Sequence, residues 1–363
     1  FISLLINLAF SNDIHLSYQR VTKIFFVIFF IISFKYLIIN SSKNLEIIYK
    51  FWSIIFLIVI VDLLIEFFVG KNILGQSSMM PGRLGSFTGQ ESVIGHFFFG
   101  FCLIFLSFLY TRFKKDRFSL ILASSLIIIS FLIGERANFI KFFIIVFFVM
   151  LFVIKINLRY KIAITLIIIS NLFLFLNLNE NIKYRYYSQQ LENFKSESKN
   201  VKKEDSQNIF VNSKNNIVDF FKWTKYGAHY NAAYKIFLEK PYFGIGIKNY
   251  RNESYKEKYK NEEYKWTNER MTTHPHQIHF EFLSETGLFG YISFLLFILT
   301  SLFLSIKNYL KHKNFYQLAT ILYVSITLLP ILPSGSFFST YSSSLFWINY
   351  AIMVGYIKVP TKS

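Results

Sequence analysis

The stretch IYKFWSIIFLIVIVDLLIEFFV, residues 48–69, is almost entirely apolar, and its charges are confined to Lys50, Asp62 and Glu66. A helix of about 20 apolar residues is long enough to cross the hydrocarbon core of a bilayer, which is about 30 Å thick. Lipid offers the backbone no hydrogen-bond partner, so a segment that crosses it must be helical. The stretch therefore predicts a membrane-spanning helix.

The same pattern recurs along the chain of 363 residues, of which 53% are hydrophobic and 20% aromatic. The sequence begins with Phe1 in what resembles the end of a helix, so we expect part of the N-terminus to be missing. We predict an all-α polytopic membrane protein with about ten transmembrane helices, the first of them incomplete. The predicted spans are 1–10, 21–39, 48–69, 93–110, 118–134, 139–155, 161–178, 281–306, 316–333 and 341–357.

Short basic loops predict how the chain is oriented. The stretch TRFKKDR (111–117) is strongly basic, which is typical of a cytoplasmic loop. Alternation of the spans then places 155–161, 307–313 and 358–363, which are also basic, on the cytoplasmic side. Most of the formal net charge of +18 flanks spans, so orientation and anionic lipid headgroups explain it better than nucleic acid does.

Alternation places residues 70–92, 134–138, 334–340 and the long segment 179–280, of about 100 residues, on the outer side. We therefore divide the chain into transmembrane helices with outer arginine loops (1–178), a large outer loop (179–280) and C-terminal transmembrane helices (281–363). Residues 188–216 are charged and poor in apolar residues, which predicts a mobile loop. From residue 217 we predict a folded cap, in which a helix ends at Pro241 and a glycine-rich turn and another short element follow.

Three histidines crowd the end of the outer loop, in TTHPHQIHFEFLSETGLFG (272–290). Thr273 or His274 suits the cap of the following helix, which would place His276 and His279 on one helical face. An interfacial helix cap explains the cluster without any chemistry. Alternatively, the three imidazoles supply a zinc site, or a neutral histidine acts as a general base.

Two arginines lie in outer turns. Arg83 sits in a loop dense in glycine just before a span, with Glu91 at the beginning of the next helix, and Arg136 follows Glu135 in the turn GERANF (134–139). Backbone N–H groups and guanidinium groups in such turns suit a phosphate. The alternatives are a snorkelling arginine and a Glu–Arg pair that neutralises itself.

Two further sets of charges carry less specific predictions. Asp62 and Glu66 lie one helical turn apart near the outer end of their span. They could pair with the arginines, or form the proton or cation path of a transporter. Arg251 and Arg270 in the cap are further candidates for anion binding.

Together these stretches resemble the O-antigen ligase and polymerase superfamily of bacterial envelope glycan enzymes. The resemblance is carried by RLGSFTGQESVIG (83–95), GERAN (134–138), YNAAYKIFLEKPYFGIGIKNYR (230–251) and HPHQIHFEFLSETGLFG (274–290). It implies a fold similar to the GT-C membrane glycosyltransferases, in the bacterial inner membrane with the active site facing the periplasm. It also implies transfer of glycan from undecaprenyl pyrophosphate to an acceptor sugar, without a metal or another cofactor.

The resemblance also implies roles for residues. His276 would be the base that activates the acceptor hydroxyl. Arg136, Arg83 and Arg251 would bind the pyrophosphate. The supporting residues would be His274, Gln277, Glu91 and His229. Many relatives have Asn where Gln277 stands, and an arginine or histidine where this chain has Tyr226 through His229.

Three functions follow from these expectations. A ligase would use a lipid A-core sugar as acceptor, and a polymerase would use another lipid-linked repeat. We favour the ligase. A lipid-glycan flippase or transporter is the alternative from another class. The enzymatic interpretation further expects Arg83, Arg136 and His276 to converge on one cavity outside the cytoplasm.

Overall fold

The computed structural model describes residues 1–189, 221–330 and 332–357, and these residues form helices and turns without a β-strand. The α-helices are α1 Ile2–Ala9, α2 Ile14–Asn40, α3 Ser42–Val69, α4 Ile94–Phe113, α5 Asp116–Leu132, α6 Arg136–Phe152, α7 Leu158–Leu178, α8 Glu180–Lys183, α9 Lys225–Glu239, α10 Tyr250–Glu253, α11 Ile278–His312, α12 Phe315–Thr327 and α13 Thr340–Gly355. A π-helical turn follows α8 at Tyr184–Ser188. The all-helical class is confirmed.

Each complete predicted span contains a helix, and five of these helices are long and apolar enough to cross a membrane. The five are α2, α3, α4, α7 and α11. The helices α5, α6, α12 and α13 are shorter, at 17, 17, 13 and 16 residues. The described residues thus form a polytopic membrane protein, while the number of ten spans, the orientation and the GT-C-like arrangement stay predictions.

The described residues separate into two compact units. The first unit contains residues 1–30, 221–301, 328–330 and 332–344, and the second contains residues 31–189, 302–327 and 345–357. Each unit combines segments that are distant in sequence. The division predicted along the chain, at residues 178 and 280, stays a prediction.

Aromatic side chains fill the core of the second unit between α3, α4 and α6. The rings of Phe56 and Phe98 lie 5.2 Å apart, those of Phe98 and Phe142 lie 6.0 Å apart, and all three residues are fully buried. Lipid tails are as apolar as these side chains, so close packing rather than transfer from water stabilises such contacts.

The folded cap belongs to the first unit and follows the predicted pattern. Helix α9 ends at Glu239 just before Pro241, and the short helix α10 follows the glycine-rich turn. Their apolar core consists of Ala233, Ile236, Ile245, Tyr250 and Tyr259. The order of elements in the cap is therefore confirmed. The mobile loop predicted at 188–216 falls almost entirely outside the described residues.

Helix α11 is not continuous, because its backbone breaks at Gly287. This residue has φ 65° and ψ −173°, a conformation that is essentially limited to glycine. A Cβ atom on Gly287 would lie 2.5 Å from the backbone nitrogen of Gly244. The turn after α9 therefore touches the backbone of α11 where that helix is broken.

Backbone groups freed by the break bond to this turn, which comprises residues 241–246. The four hydrogen bonds run from the N–H of Leu288 to the carbonyl of Pro241 (2.7 Å), of Phe289 to Tyr242 (3.1 Å), of Ile245 to Ser284 (3.1 Å) and of Gly246 to Glu285 (2.9 Å). A helix interrupted within a membrane needs such replacement partners. The turn and α11 therefore stabilise each other.

Candidate active site

The histidine-rich stretch ends in a helix cap that differs from the predicted one. Helix α11 begins at Ile278, and the side-chain oxygen of Gln277 accepts hydrogen bonds from the backbone N–H groups of His279 (2.6 Å) and Phe280 (3.3 Å). The side-chain nitrogen of Gln277 donates to the carbonyl of Pro330 at 3.0 Å. The predicted cap at Thr273 or His274 is therefore wrong.

His276 lies before this helix in a strained backbone conformation. Its φ of 56° is in the left-handed region, which residues other than glycine rarely adopt. The carbonyl of His276 accepts a hydrogen bond from the N–H of Ser334 at 2.8 Å. Strain of this kind collects at functional sites, where the surrounding structure maintains it. The predicted shared helical face of His276 and His279 is wrong, since His276 is outside the helix.

Three rings surround the imidazole of His276. The centroid of the His276 ring lies 4.1 Å from that of His274, 5.0 Å from that of His229 and 6.1 Å from that of Tyr226. His229, which was predicted only as a supporting residue, lies in α9, and this helix places its ring next to that of His276. The first unit thus gathers His276, His274 and His229.

His279 has a structural role. Its Nε2 donates to the carbonyl of Leu328 at 2.7 Å, which leaves Nδ1 to accept from the hydroxyl of Tyr291 at 3.0 Å. Both ring nitrogens are thereby engaged with protein groups. The three imidazoles of the H-x-H-x-x-H pattern do not form a common ligand set, and no cluster able to hold a metal ion occurs among the described residues.

His229 is held in the neutral form. Burial, with smaller contributions from His276 and Lys225, lowers the pKa of His229 to about 3. The side chain is 6% exposed, and its Nδ1 has no hydrogen-bond partner among the described residues. A neutral His229 therefore adds no positive charge beside the ring of His276.

This burial makes the stability of the cap depend on pH. The folded-state pKa of His229 is lower than the ordinary value of 6.5, so stability is complete above pH 6.5 and falls as pH drops toward 3. We expect a loss of about 2 kcal/mol between pH 7 and pH 5. Thermal unfolding of the purified protein at the two pH values measures it, and His229→Phe should flatten the dependence. An equal dependence in both proteins would contradict the assignment.

Arg251 lies in the first unit near a buried group of charges. The carboxylate of Glu285 accepts hydrogen bonds from the backbone N–H groups of Lys248 (2.7 Å) and Tyr250 (3.2 Å). Burial lowers the pKa of Lys248, although Glu281 and Glu285 act in the opposite direction. Arg251 also acts electrostatically on Lys248. Hydrogen bonds from Lys248 and Tyr250 to Glu285 therefore fix the backbone just before Arg251.

Arg270, the other arginine predicted in the cap, is buried and structural. It is 1% exposed, and its guanidinium contacts the carboxylate of Glu257 at 3.0 Å. Its carbonyl accepts a hydrogen bond from the hydroxyl of Tyr250 at 3.4 Å. These contacts make Arg270 part of the core of the cap rather than a ligand group.

In the second unit, the two acidic residues of α3 hold the glycine-rich loop. The carboxylate of Glu66 accepts hydrogen bonds from the N–H groups of Gly85 (3.0 Å) and Ser86 (2.6 Å), and that of Asp62 accepts from the hydroxyl of Ser86 (2.5 Å) and the N–H of Ile73 (2.7 Å). The two carboxylates were predicted either to pair with the arginines or to form an ion path. In the structure they instead bind the backbone and the serine of the loop.

The loop brings Arg83 against the turn that carries Arg136. A Cβ atom on Gly134 would lie 2.0 Å from the carbonyl oxygen of Gly82 and 3.2 Å from the Cα of Arg83, so only glycine allows this approach. The guanidinium of Arg83 lies 3.8 Å from the carboxylate of Glu135. The structure therefore brings the two predicted arginine motifs together.

Glu135 is buried and has several partners. It accepts hydrogen bonds from the N–H of Gly95 (2.9 Å) and the side chain of Asn138 (2.6 Å), and it lies 3.9 Å from the ring of His96. Glu91, predicted as a supporting residue of the site, is exposed and forms no ion pair with Arg83 or Arg136 among the described residues. Glu135 rather than Glu91 is thus the carboxylate that pairs with Arg83, while the supporting role of Glu91 stays a prediction.

Sequence reasoning missed a third arginine in this cluster. The Nε of Arg185 donates to the carbonyl of Gly134 at 2.9 Å, and the guanidinium of Arg136 donates to the carbonyl of Arg185 at 3.3 Å. A Cβ on Gly82 would lie 2.6 Å from the Cβ of Arg185. The available signal was an arginine among aromatic residues, KYRYY, just after a predicted span.

The ring of Tyr186 lies within electrostatic reach of all three arginines. Burial raises the pKa of Tyr186, whereas Arg185, Arg136 and Arg83 lower it. Three guanidinium groups that act on one tyrosine together attract an anion with two or more charges. The arrangement suits a diphosphate.

The arginine cluster and the histidine cluster occur in different units. Arg83, Arg136 and Arg185 belong to the second unit, whereas His276 and Arg251 belong to the first. Each cluster is defined within its own unit. The predicted convergence of the arginines with His276 stays a prediction.

The fold and the two clusters define a class, the multi-pass helical membrane proteins with polar groups suited to proton transfer and anion binding. Residues 118–295 match the family model described as O-Antigen ligase. This match confirms the resemblance to the O-antigen ligase and polymerase superfamily and supports an enzyme that processes glycans. No curated protein and no solved structure matches the chain.

Proposed function

We propose that the protein transfers a glycan from undecaprenyl pyrophosphate to an acceptor sugar at the periplasmic face of the bacterial inner membrane. The acceptor of a ligase is the lipid A-core, and we favour this form over the polymerase. The observation that carries the proposal is the strained His276, which lies in the matched family segment beside two further histidines.

The reaction is a displacement at the anomeric carbon of the donor sugar. The acceptor hydroxyl oxygen attacks this carbon, and the bond between the carbon and the diphosphate oxygen breaks. His276 takes the hydroxyl proton, and the diphosphate leaves with the bonding electrons. Arg136 and Arg83 stabilise the charge that develops on the leaving group. Fixed guanidinium groups can do this without a divalent cation.

His276 is better suited to be the base than the two neighbouring histidines of its motif. Both ring nitrogens of His279 are committed to Leu328 and Tyr291. The Nδ1 of His274 bonds to the hydroxyl of Thr273 at 2.9 Å. His274 and His229 instead flank the ring of His276 and restrict its orientation, which is the supporting role that we assign to them.

Arg136 provides a direct test of the leaving-group contact. We expect Arg136→Lys to lower the transfer rate at least about tenfold, because lysine keeps the charge but loses the bidentate geometry. The measurement is transfer of a purified lipid-linked glycan by the protein in nanodiscs. Arg159→Lys is the matched control, since Arg159 is exposed on α7. Equal rates for Arg136→Lys and the wild type would contradict the contact.

A deletion strain tests the reaction class. The ligase predicts that full-length polymer accumulates on its lipid carrier, whereas the polymerase predicts surface glycolipid with a single repeat. A flippase or transporter would instead leave lipid-linked glycan on the cytoplasmic side. In a separate assay, the transfer rate of the purified protein should not change when a chelator is added, since the proposed step uses no metal.

A further inference from the structure

Two basic side chains of α2 meet at the beginning of α13 in the first unit. The guanidinium of Arg20 donates to the hydroxyl of Thr340 at 2.9 Å, and the ammonium group of Lys23 donates to the same oxygen at 3.2 Å. A neutral hydroxyl does not compensate two positive charges. The pair therefore retains its capacity to bind an anion.

Arg251 adds a third positive charge to this region. It acts electrostatically on Arg20, and the two guanidinium groups repel each other. The Nε of Arg251 is buried without a hydrogen-bond partner among the described residues. A buried donor without a partner costs free energy, which a ligand oxygen would recover.

The two buried carboxylates of α11, Glu281 and Glu285, have other partners. Glu281 accepts hydrogen bonds from the hydroxyl of Ser336 and the N–H of Phe337, and its charge is opposed by that of Lys248. Glu285 is engaged by backbone N–H groups, although it also attracts Arg20. Across the described ranges, no carboxylate forms an ion pair with Arg20, Lys23 or Arg251.

The segment that holds these cations also reaches the candidate base. Residues 334–340 begin at Ser334, whose N–H bonds to the carbonyl of His276, and end at Thr340. We propose that Arg20, Lys23 and Arg251 form a second anion site, which binds a phosphate group carried by the acceptor glycolipid.

The chemistry of the acceptor follows from having two basic clusters. Arg83, Arg136 and Arg185 of the second unit suit the donor diphosphate, so a separate cluster in the unit that contains the candidate base suits the other reactant. This inference rests on the proposed function. It assigns Arg251, predicted from sequence as a diphosphate ligand, to the acceptor, and it identifies the acceptor as a phosphorylated lipid.

Stoichiometry tests the second site without the natural substrate. The full chain in phosphatidylcholine nanodiscs is titrated calorimetrically with glucose 1-phosphate, a soluble phosphate monoester. We expect two bound molecules per chain in the wild type and one in Arg20→Gln, with Arg251→Gln as an independent second variant. Arg159→Gln is the matched control and should still bind two molecules of glucose 1-phosphate per chain. Unchanged thermal unfolding shows that each variant is folded.

The outcomes separate the site from the proposed reaction. Two bound molecules in both Arg20→Gln and Arg251→Gln would overturn the second site, whatever the transfer assay gives. If the count falls to one but a His276 variant still transfers glycan, the site stands and the proposed function fails. If phosphatidylglycerol in the nanodiscs abolishes the second molecule, the occupant is a bilayer headgroup, and the assignment to the acceptor is wrong.

Discussion

Replacing His276 by asparagine is expected to lower glycan transfer by a factor on the order of 10² to 10⁴, the usual contribution of a general base. Asparagine is the appropriate substitute because it tolerates the left-handed backbone that His276 adopts, with φ 56°. Alanine would remove the base and also add strain, so its effect would be harder to interpret. The measurement is the transfer rate with saturating donor and acceptor in nanodiscs.

His279 supplies the matched control for this experiment. His279→Gln disrupts the bonds to Leu328 and Tyr291, so we expect a lower unfolding temperature but a transfer rate within a few-fold of the wild type. If His276→Asn is active and His279→Gln is inactive, the general base is His279 rather than His276. Equal loss in both variants would indicate that the motif is structural.

The sequence predicted the features that depend on local composition. Apolar stretches such as 48–69 form helices because a chain in lipid has few other ways to satisfy its backbone. The helix that ends before Pro241 was also predictable, since proline cannot continue it. The glycines around Arg83 and Arg136 indicated two turns, and those turns do meet in the second unit.

Features that depend on contacts between distant segments were not predictable in this way. Thr273 and His274 have suitable residue types for a cap, yet Gln277 caps α11 because Pro330 holds its amide. Arg185 gave no strong local signal, and its importance arises only because it lies against the turn at Gly134.

Glycine at position 287 is a similar case, and it leads to the second large effect. The stretch LSETGLFG contains no proline, and isolated glycines such as its two are tolerated within a helix, so a continuous helix was the simplest prediction. The break exists because the turn at 241–246 supplies partners for both broken ends. Without that turn, the same residues would have no reason to leave the helical conformation.

Gly287→Ala is therefore expected to prevent the first unit from assembling. The new Cβ would lie 2.5 Å from the nitrogen of Gly244 and from the carbonyl of Tyr242, and these backbone atoms cannot rotate away. The conformation with φ 65° and ψ −173° adds strain of about 1–3 kcal/mol. We expect little folded protein in the membrane, measured by the monodisperse yield after extraction and by thermal unfolding.

Gly70→Ala separates the two causes, because Gly70 also has a positive φ of 82° but no atom within 4 Å of its Cβ position. Its substitution should cost about 1–2 kcal/mol of backbone strain and leave the yield nearly normal. If Gly287→Ala behaves like Gly70→Ala, the turn at 241–246 adapts, and the break is not essential. A much larger loss at Gly287 would show that the first unit needs the close contact between the turn at 241–246 and α11.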